Sequence, residues 1–227
     1  MALAAQDLGL AVCQASVYTP DGEFEAARLL RGLVPACLER FNTEPQVVSH
    51  PASPHPRILL HSTTGMWRCE IAADRTDFYW IRPEARAPAP MLDEFYQVAA
   101  GVLAHYAEVS GSRIGRLAAV VKRLAEHPAP ALLAVDHFTR PELARTALEG
   151  TESFELYAHK RHVLGRFVVN AALRCRAGDG TVDLEQDLNT LAEQAASRRF
   201  TLEDIAEFFR LTAREHEHVL ALYFPAR

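Results

Sequence analysis

The stretch "SFELYAHKRHVLGRFVVNAALRCRAGDGTVDLEQDLNT", residues 153–190, decides the fold class. It divides into three strands, "SFELYAHKRHV", "RFVVNAALRCRA" and "TVDLEQDLNT", and Gly178-Asp179-Gly180 is a hairpin signal between the last two. With a loop over 177–180, Arg176 faces Thr181, Arg174 faces Asp183 and Asn170 faces Asp187. Period-two alternation puts Asp183, Glu185, Asp187 and Asn189 on one side of the third strand. Three carboxylates in a row suggest a metal ladder. Cross-strand pairs with the arginines, each contributing ~0.2–1 kcal/mol on a solvated face, explain them more simply. His159 and His162, three apart on a strand, point to opposite faces and share no metal.

Working outward, "RIGRLAAVVKRL" (113–124) is another strand, and "LLAVDHFTRPELARTAL" (132–148) is mostly helical around Pro141. "TLEDIAEFF" opens a long last helix, with Thr201 as N-cap and Asp204 three residues on. The first half follows a similar plan. "LGLAVCQASVY" (8–18) is a strand. "TPDGEFEAARLLRGLVPACLERF" (19–41) is a helix with Phe24, Ala27, Leu30, Val34, Cys37, Leu38 and Phe41 at helical spacing, bent or divided at Pro35.

"QVVSH", "RILLHST" and the hairpin "MWRCEIAADRTDFYWI" (66–81) supply further strands. "MLDEFYQVAAGVLAHYAEVSG" (91–111) is a helix stopped by Gly111, with Leu92, Phe95, Val98 or Ala99, Val102 and Tyr106 as its stripe. The expectation is an α+β fold, one domain over 1–227, with a largely antiparallel sheet and helices on one face. Strand, helix, strands, helix occurs twice, so 1–111 and 112–227 read as pseudo-repeat halves.

Composition narrows the function. The chain has 227 residues, 49% hydrophobic and 23% charged, with a formal charge of −5. That balance is ordinary for a globular domain and argues against a nucleic-acid partner. No apolar run approaches the ~18 residues that span a bilayer, and "MALAAQDLGLAV" lacks a basic start, so no membrane partner and a cytoplasmic location are expected. The four cysteines show no CxxC pair and read as reduced thiols. No nucleophile elbow, phosphate loop or dinucleotide fingerprint is present, so the residues lean away from catalysis and imply no cofactor.

The end of the chain, "REHEHVLALYF" (214–224), crowds Glu215, His216, Glu217 and His218 together. A helical wheel separates them. His216 falls among Leu202, Ile205, Phe209, Ala213, Val219, Leu220 and Tyr223, while His218 points away and neighbours Glu215 on the solvent side. Zincin histidines sit at i and i+4, so no metal site is expected here. His216 is then either a satisfied core residue or a pocket residue. In "DFYWIRP", Phe78 and Trp80 share one strand face and Tyr79 and Ile81 the other, which suits either two-sided burial or a partner surface.

"WRCEIAADRTDFYW", "SFELYAHKRHVLGRFVVNAAL", "VDLEQDLNT" and "IAEFFRLTAREHEHVLALYF" together resemble a group of uncharacterised bacterial proteins distributed sporadically among species. The resemblance implies that a strand ending like Asp187-Leu188-Asn189-Thr190 precedes a helix carrying His216 and, near its end, Phe224. It carries no catalytic assignment, and patchy distribution is compatible with a defence or toxin–antitoxin module. The expected function is non-enzymatic docking of a protein partner or a homodimer. The alternative is a small-ligand binder or enzyme with a pocket between the sheet and the last helix. Candidate residues are His216, Tyr223, Asn189 and Trp80.

Overall fold

The computed structural model describes residues 3–22, 24–37, 41–49, 56–82 and 89–225. Among them, nine strands form one antiparallel sheet: β1 (Gly9–Tyr18), β2 (Gln46–Val48), β3 (Arg57–His61), β4 (Trp67–Ile71), β5 (Arg75–Ile81), β6 (Arg116–Glu126), β7 (Phe154–Leu164), β8 (Phe167–Gly178) and β9 (Thr181–Thr190). Their spatial order is β2-β3-β4-β5-β1-β6-β9-β8-β7. The helices are α1 (Ala26–Cys37), α2 (Leu92–Ser110), α3 (Pro130–Phe138), the short α4 (Pro141–Ala144) and the long α5 (Leu202–Tyr223). The fold is α+β, with a largely antiparallel sheet, as the strand pattern implies.

Alternation decides which face is covered. Cys13 pairs with Trp80 and Val121, Ala15 with Phe78 and Ala119, and Ala119 with Leu188; all seven are buried. Onto this face fold Leu29 and Leu33 of α1, Phe95 and Leu103 of α2, and Phe208 and Phe209 of α5. A second apolar cluster joins Leu133 of α3 to Leu173 and Cys175 of β8 and Leu184 of β9. Buried aromatics dominate such cores because each removes ~150–250 Å² from water. The opposite face carries Gln14, Tyr79, Lys122, Glu185 and Asn189.

Local details depart from the sequence reading at three points. The β8–β9 turn is two residues, with Asp179 at φ 48° and Gly180 at φ 78°, so Gly178 pairs with Thr181. Positive φ at both central residues is the primed turn that suits strand twist, and Asp tolerates it. The register therefore moves: Arg176 faces Asp183, Arg174 faces Glu185 and Asn170 faces Asn189. In α1 the buried residues are Leu29 and Leu33, with Leu30 only flanking them and Ala27 exposed. Adjacent leucines left the phase of that stripe undecided. The helix also continues past Pro35 to Cys37.

Two glycines test the packing in opposite directions. A Cβ on Gly115 would lie 2.1 Å from the backbone oxygen of Ala195, whereas one on Gly101, exposed within α2, meets nothing within 4 Å. Gly115→Ala is expected to destabilise the protein by about 2 kcal/mol or more in urea melts, because backbone must move. Gly101→Ala is expected to stabilise it by about 0.5–1 kcal/mol, the ordinary helix-interior preference.

Candidate ligand-binding site

The site is built on α5. Its start is fixed by a reciprocal cap: the Thr201 hydroxyl accepts from the Asp204 N–H at 3.1 Å, and Asp204 Oδ2 accepts from the Thr201 N–H at 2.7 Å. From there Ile205, Phe208, Phe209, Thr212, Ala213, His216 and Leu220 turn inward at three- and four-residue steps. At the other end, His137 of α3 stacks on Phe224 at 4.9 Å, and its Nε2 lies 2.7 Å from the Tyr223 carbonyl. The first end is thus closed by its own cap, and the second is tied to α3.

Beside the second half of α5 the outer strands present small side chains, Ala158 on β7 and Ala171 on β8. A helix laid over alanines leaves space. The resulting cavity is about 310 Å³, with Leu173, Leu188, Val219 and Leu222 among its apolar walls. This is the lower end of the ~300–1,000 Å³ range of small-molecule sites.

The polar groups on its wall are unusual. His216 is 1% exposed, and its Nδ1 lies 3.2 Å from the Tyr96 hydroxyl. Tyr96 is itself fully enclosed, stacked on Phe209 at 5.7 Å and edge-on to Phe95 at 5.0 Å. Gln186, 3% exposed, donates its amide N–H to the His216 carbonyl at 2.9 Å. His216 Nε2 and Gln186 Oε1 are both buried and have no protein partner. Such orphans cost about 1–3 kcal/mol each unless something satisfies them. Thr212 Oγ1, one turn earlier, is a third.

Electrostatics fixes the protonation. Burial, reinforced by nearby Arg123, lowers the His216 pKa to about 3, so the imidazole is neutral. Burial raises the Tyr96 phenol well above its usual range, so it keeps its proton. If Nδ1–H donated to Tyr96, the phenol proton would be stranded as well as Nε2. Donation by Tyr96 to Nδ1 strands fewer groups and leaves the proton on Nε2. At the rim, the half-buried Glu215 carboxylate lies 3.4 Å from Lys160 Nζ and 3.3 Å from His162 Nε2, both on β7. Burial and then Lys160 lower the His162 pKa, opposed by Glu215.

The structure brings two of the four candidate residues together. His216 and Tyr223 line the cavity, Tyr223 at its exposed rim. Asn189 lies on the opposite face of β9, where it accepts from Arg116 at 2.7 Å and donates to Asp187 at 3.0 Å. Trp80 is 2% exposed in the core on β5, three strands from β9.

Glu215 meets β7 rather than His218, because it projects toward the sheet edge instead of solvent. Glu185 pairs with Lys122 of β6 at 2.7 Å, while Arg174 and Arg176 reach Glu155 of β7. Burial raises the Asp187 pKa. Among the described residues no three His, Cys, Asp or Glu side chains cluster for a metal, and no helix is long and apolar enough to cross a membrane.

Tyr96, Gln186 and Lys160 escaped the sequence reading. Gln186 had a signal: it interrupts the row Val182, Leu184, Leu188 on the apolar face of β9. Tyr96 had none, being next to Phe95 on a helix able to bury either ring.

No family model and no curated protein matches the sequence. Among solved structures the chain is similar to "Methanococcus jannaschii TBP", at 11% identity and a TM-score of 0.31, over 95% of this chain and 97% of that one. Agreement at that level bears on neither site nor function.

The buried imidazole makes stability depend on acid. The unfolded chain binds a proton at His216 below its ordinary value of 6.5, and the native state resists until about 3. The contribution is therefore complete above the first value and lost toward the second, at up to about 1.4 kcal/mol per pH unit. Urea denaturation at about pH 7 and about pH 5 is expected to show a smaller acid loss in His216→Phe than in the parent protein.

Proposed function

We propose that this protein binds a small molecule in the cavity between α5 and strands β7–β9. One observation carries the reading: His216 and Gln186, each with a buried side-chain atom that has no protein partner, are among the residues that line a 310 Å³ space. A structural histidine would have both ring nitrogens satisfied, and a structural glutamine in a β-sheet core would be costly without both ends bonded. Binding is favoured because the buried His216 is neutral, and Lys160 and Glu215 at the rim are paired with each other at 3.4 Å.

Docking of a protein partner or a second copy is a second reading, supported by exposed Tyr157 and Val163 on the outermost strand, β7. The order of strands about β1 and β6 supports reading the halves 1–111 and 112–227 as copies of one plan, because in each the last strand lies beside the first.

The cavity reading is tested by filling it. Methyl-resolved NMR during titration with a panel of small amphiphiles is expected to move Ala158, Ala171, Leu173 and Val219 together. Ala171→Leu is expected to weaken any such binder at least about tenfold, since one to three methylene-sized contacts are displaced by the new side chain. Compounds that perturb the open face of the sheet as strongly as these methyls would count against the site.

A further inference from the structure

The two edges of the sheet are built differently. β2, at one end, is three residues long, whereas β7, at the other, runs for eleven and pairs with β8 in unbroken register from Phe154 to Leu164. Edge strands are ordinarily kept short, or broken by a proline or a bulge, because their free backbone groups pair with other chains. β7 is long, regular and without proline. Its turn assigns the free row. Gly165 and Arg166 form a two-residue loop closed by the Leu164–Phe167 pair. The even-numbered residues of β7 therefore bond β8, and the odd-numbered ones present N–H and C=O outward. The side chains of those odd residues, Glu155, Tyr157, His159, Arg161 and Val163, are exposed on the open face of the sheet.

The next step rests on the docking reading above and names the partner. β7 carries the basic run His159-Lys160-Arg161-His162, which restricts how two copies can pair. An antiparallel self-pairing must set odd residues against odd ones, or the outward backbone groups and the two faces no longer match. With the twofold axis at Lys160, that lysine faces itself and Arg161 faces His159. With the axis at His159, the two histidines face each other. With the axis at Tyr157, Arg161 faces Ser153 and has no carboxylate opposite. With the axis at Ala158, Glu155 faces Arg161 twice, Tyr157 faces His159 twice, and no two basic side chains are directly opposed.

Both charged groups keep capacity for that contact. Arg174 and Arg176 reach the same oxygen of Glu155, Oε1, at 2.8 and 3.5 Å, which leaves Oε2 to accept. Arg161 donates from Nε to Asn170 at 3.1 Å and from Nη2 to Glu193 at 2.8 Å, which leaves Nη1 to donate. On the helix side the same register sets Ala158 against Ala158, Leu156 against Lys160 and Phe154 against His162.

We infer that this protein pairs with a second copy of itself through β7, antiparallel about a twofold axis at Ala158, so that two sheets become one and Glu155 of each copy bonds Arg161 of the other. Ala158 also lines the cavity, so the cavities of the two copies adjoin at the axis.

Light scattering on the full chain is the first measurement, and the parent protein is expected to be a dimer. Glu155→Arg and Arg161→Glu each set like charges opposite, and each is expected to raise the dimer dissociation constant about tenfold or more. Mixed in equal amounts, these two variants are expected to form a heterodimer, since every reversed charge then meets its opposite; that recovery also shows both to be folded. Ala158→Cys is expected to yield a disulfide-linked dimer on a non-reducing gel, because a directly opposed pair that is not hydrogen-bonded holds its Cα atoms about 4.5 Å apart, within disulfide reach. Lys160→Cys, displaced from its counterpart by about 13 Å along the strand, is expected to yield none. A dimer unmoved by both charge reversals, or linked as readily through Lys160→Cys, overturns the inferred pairing and leaves the docking reading standing. A parent chain that stays monomeric as its concentration rises overturns the inference and removes a second copy as the docked partner.

Discussion

The antiparallel pairing of β1 with β6 is the interaction on which the rest depends. It joins two sets of strands into one sheet, β5 through β2 running out on one side and β9 through β7 on the other. Without it each set would carry a long free edge, which invites pairing with other chains. Its residues also set how the helices lie. Ala15 and Ala119, cross-strand partners under the helices, are small, and α2 and α5 pack against each other above this centre. Large side chains then fill the flanks, with Phe78, Trp80 and Phe95 on one side and Phe167 and Phe208 on the other.

Coverage is unequal as a result. α1 and α2 together cap the β1–β5 side, whereas the β6–β9 side has α5 and the nine-residue α3. α3 seals one end through Leu133, Ala134 and the His137–Phe224 stack. What is left uncovered, over Ala158 and Ala171, is the cavity. It lies where the helix layer meets the eleven-residue β7 through Glu215 of α5, against Lys160 and His162, and through Phe138 of α3, stacked on Phe154. Lys160 and His162 on the helix-facing side of β7 are consistent with this, because an edge strand there is wet enough to hold charge.

Much of this was legible in residues 153–190, since strict alternation and a Gly-Asp-Gly turn specify hairpins with little help from the rest of the chain. The inward position of His216 was legible too, because the stripe on α5, from Ile205 to Leu220, runs over about four turns and fixes its own phase. Register was less so: a four-residue loop and a two-residue turn both fit the glycines, and Asp179 at positive φ decided between them. Leu202 and Tyr223, placed on the inner stripe by the wheel, are exposed because they lie at the helix ends, beyond the sheet they would pack on. The partnership of Tyr96 with His216 spans 120 positions in sequence. Helical spacing cannot express such a contact, which depends on how α2 and α5 cross. Gln186 was visible as a flaw in an apolar row, but the attention drawn by the carboxylates opposite it hid the flaw.

That flaw has an energetic cost. A leucine at 186 would complete the row Val182, Leu184, Leu188 and would be worth about 1.5–3 kcal/mol of apolar burial instead of an amide half satisfied. The amide is instead bonded to the carbonyl of a residue that is itself half satisfied, within a helix whose other inward residues are nearly all apolar. Two adjacent flaws on facing elements, one on β9 and one on α5, share a single cavity wall.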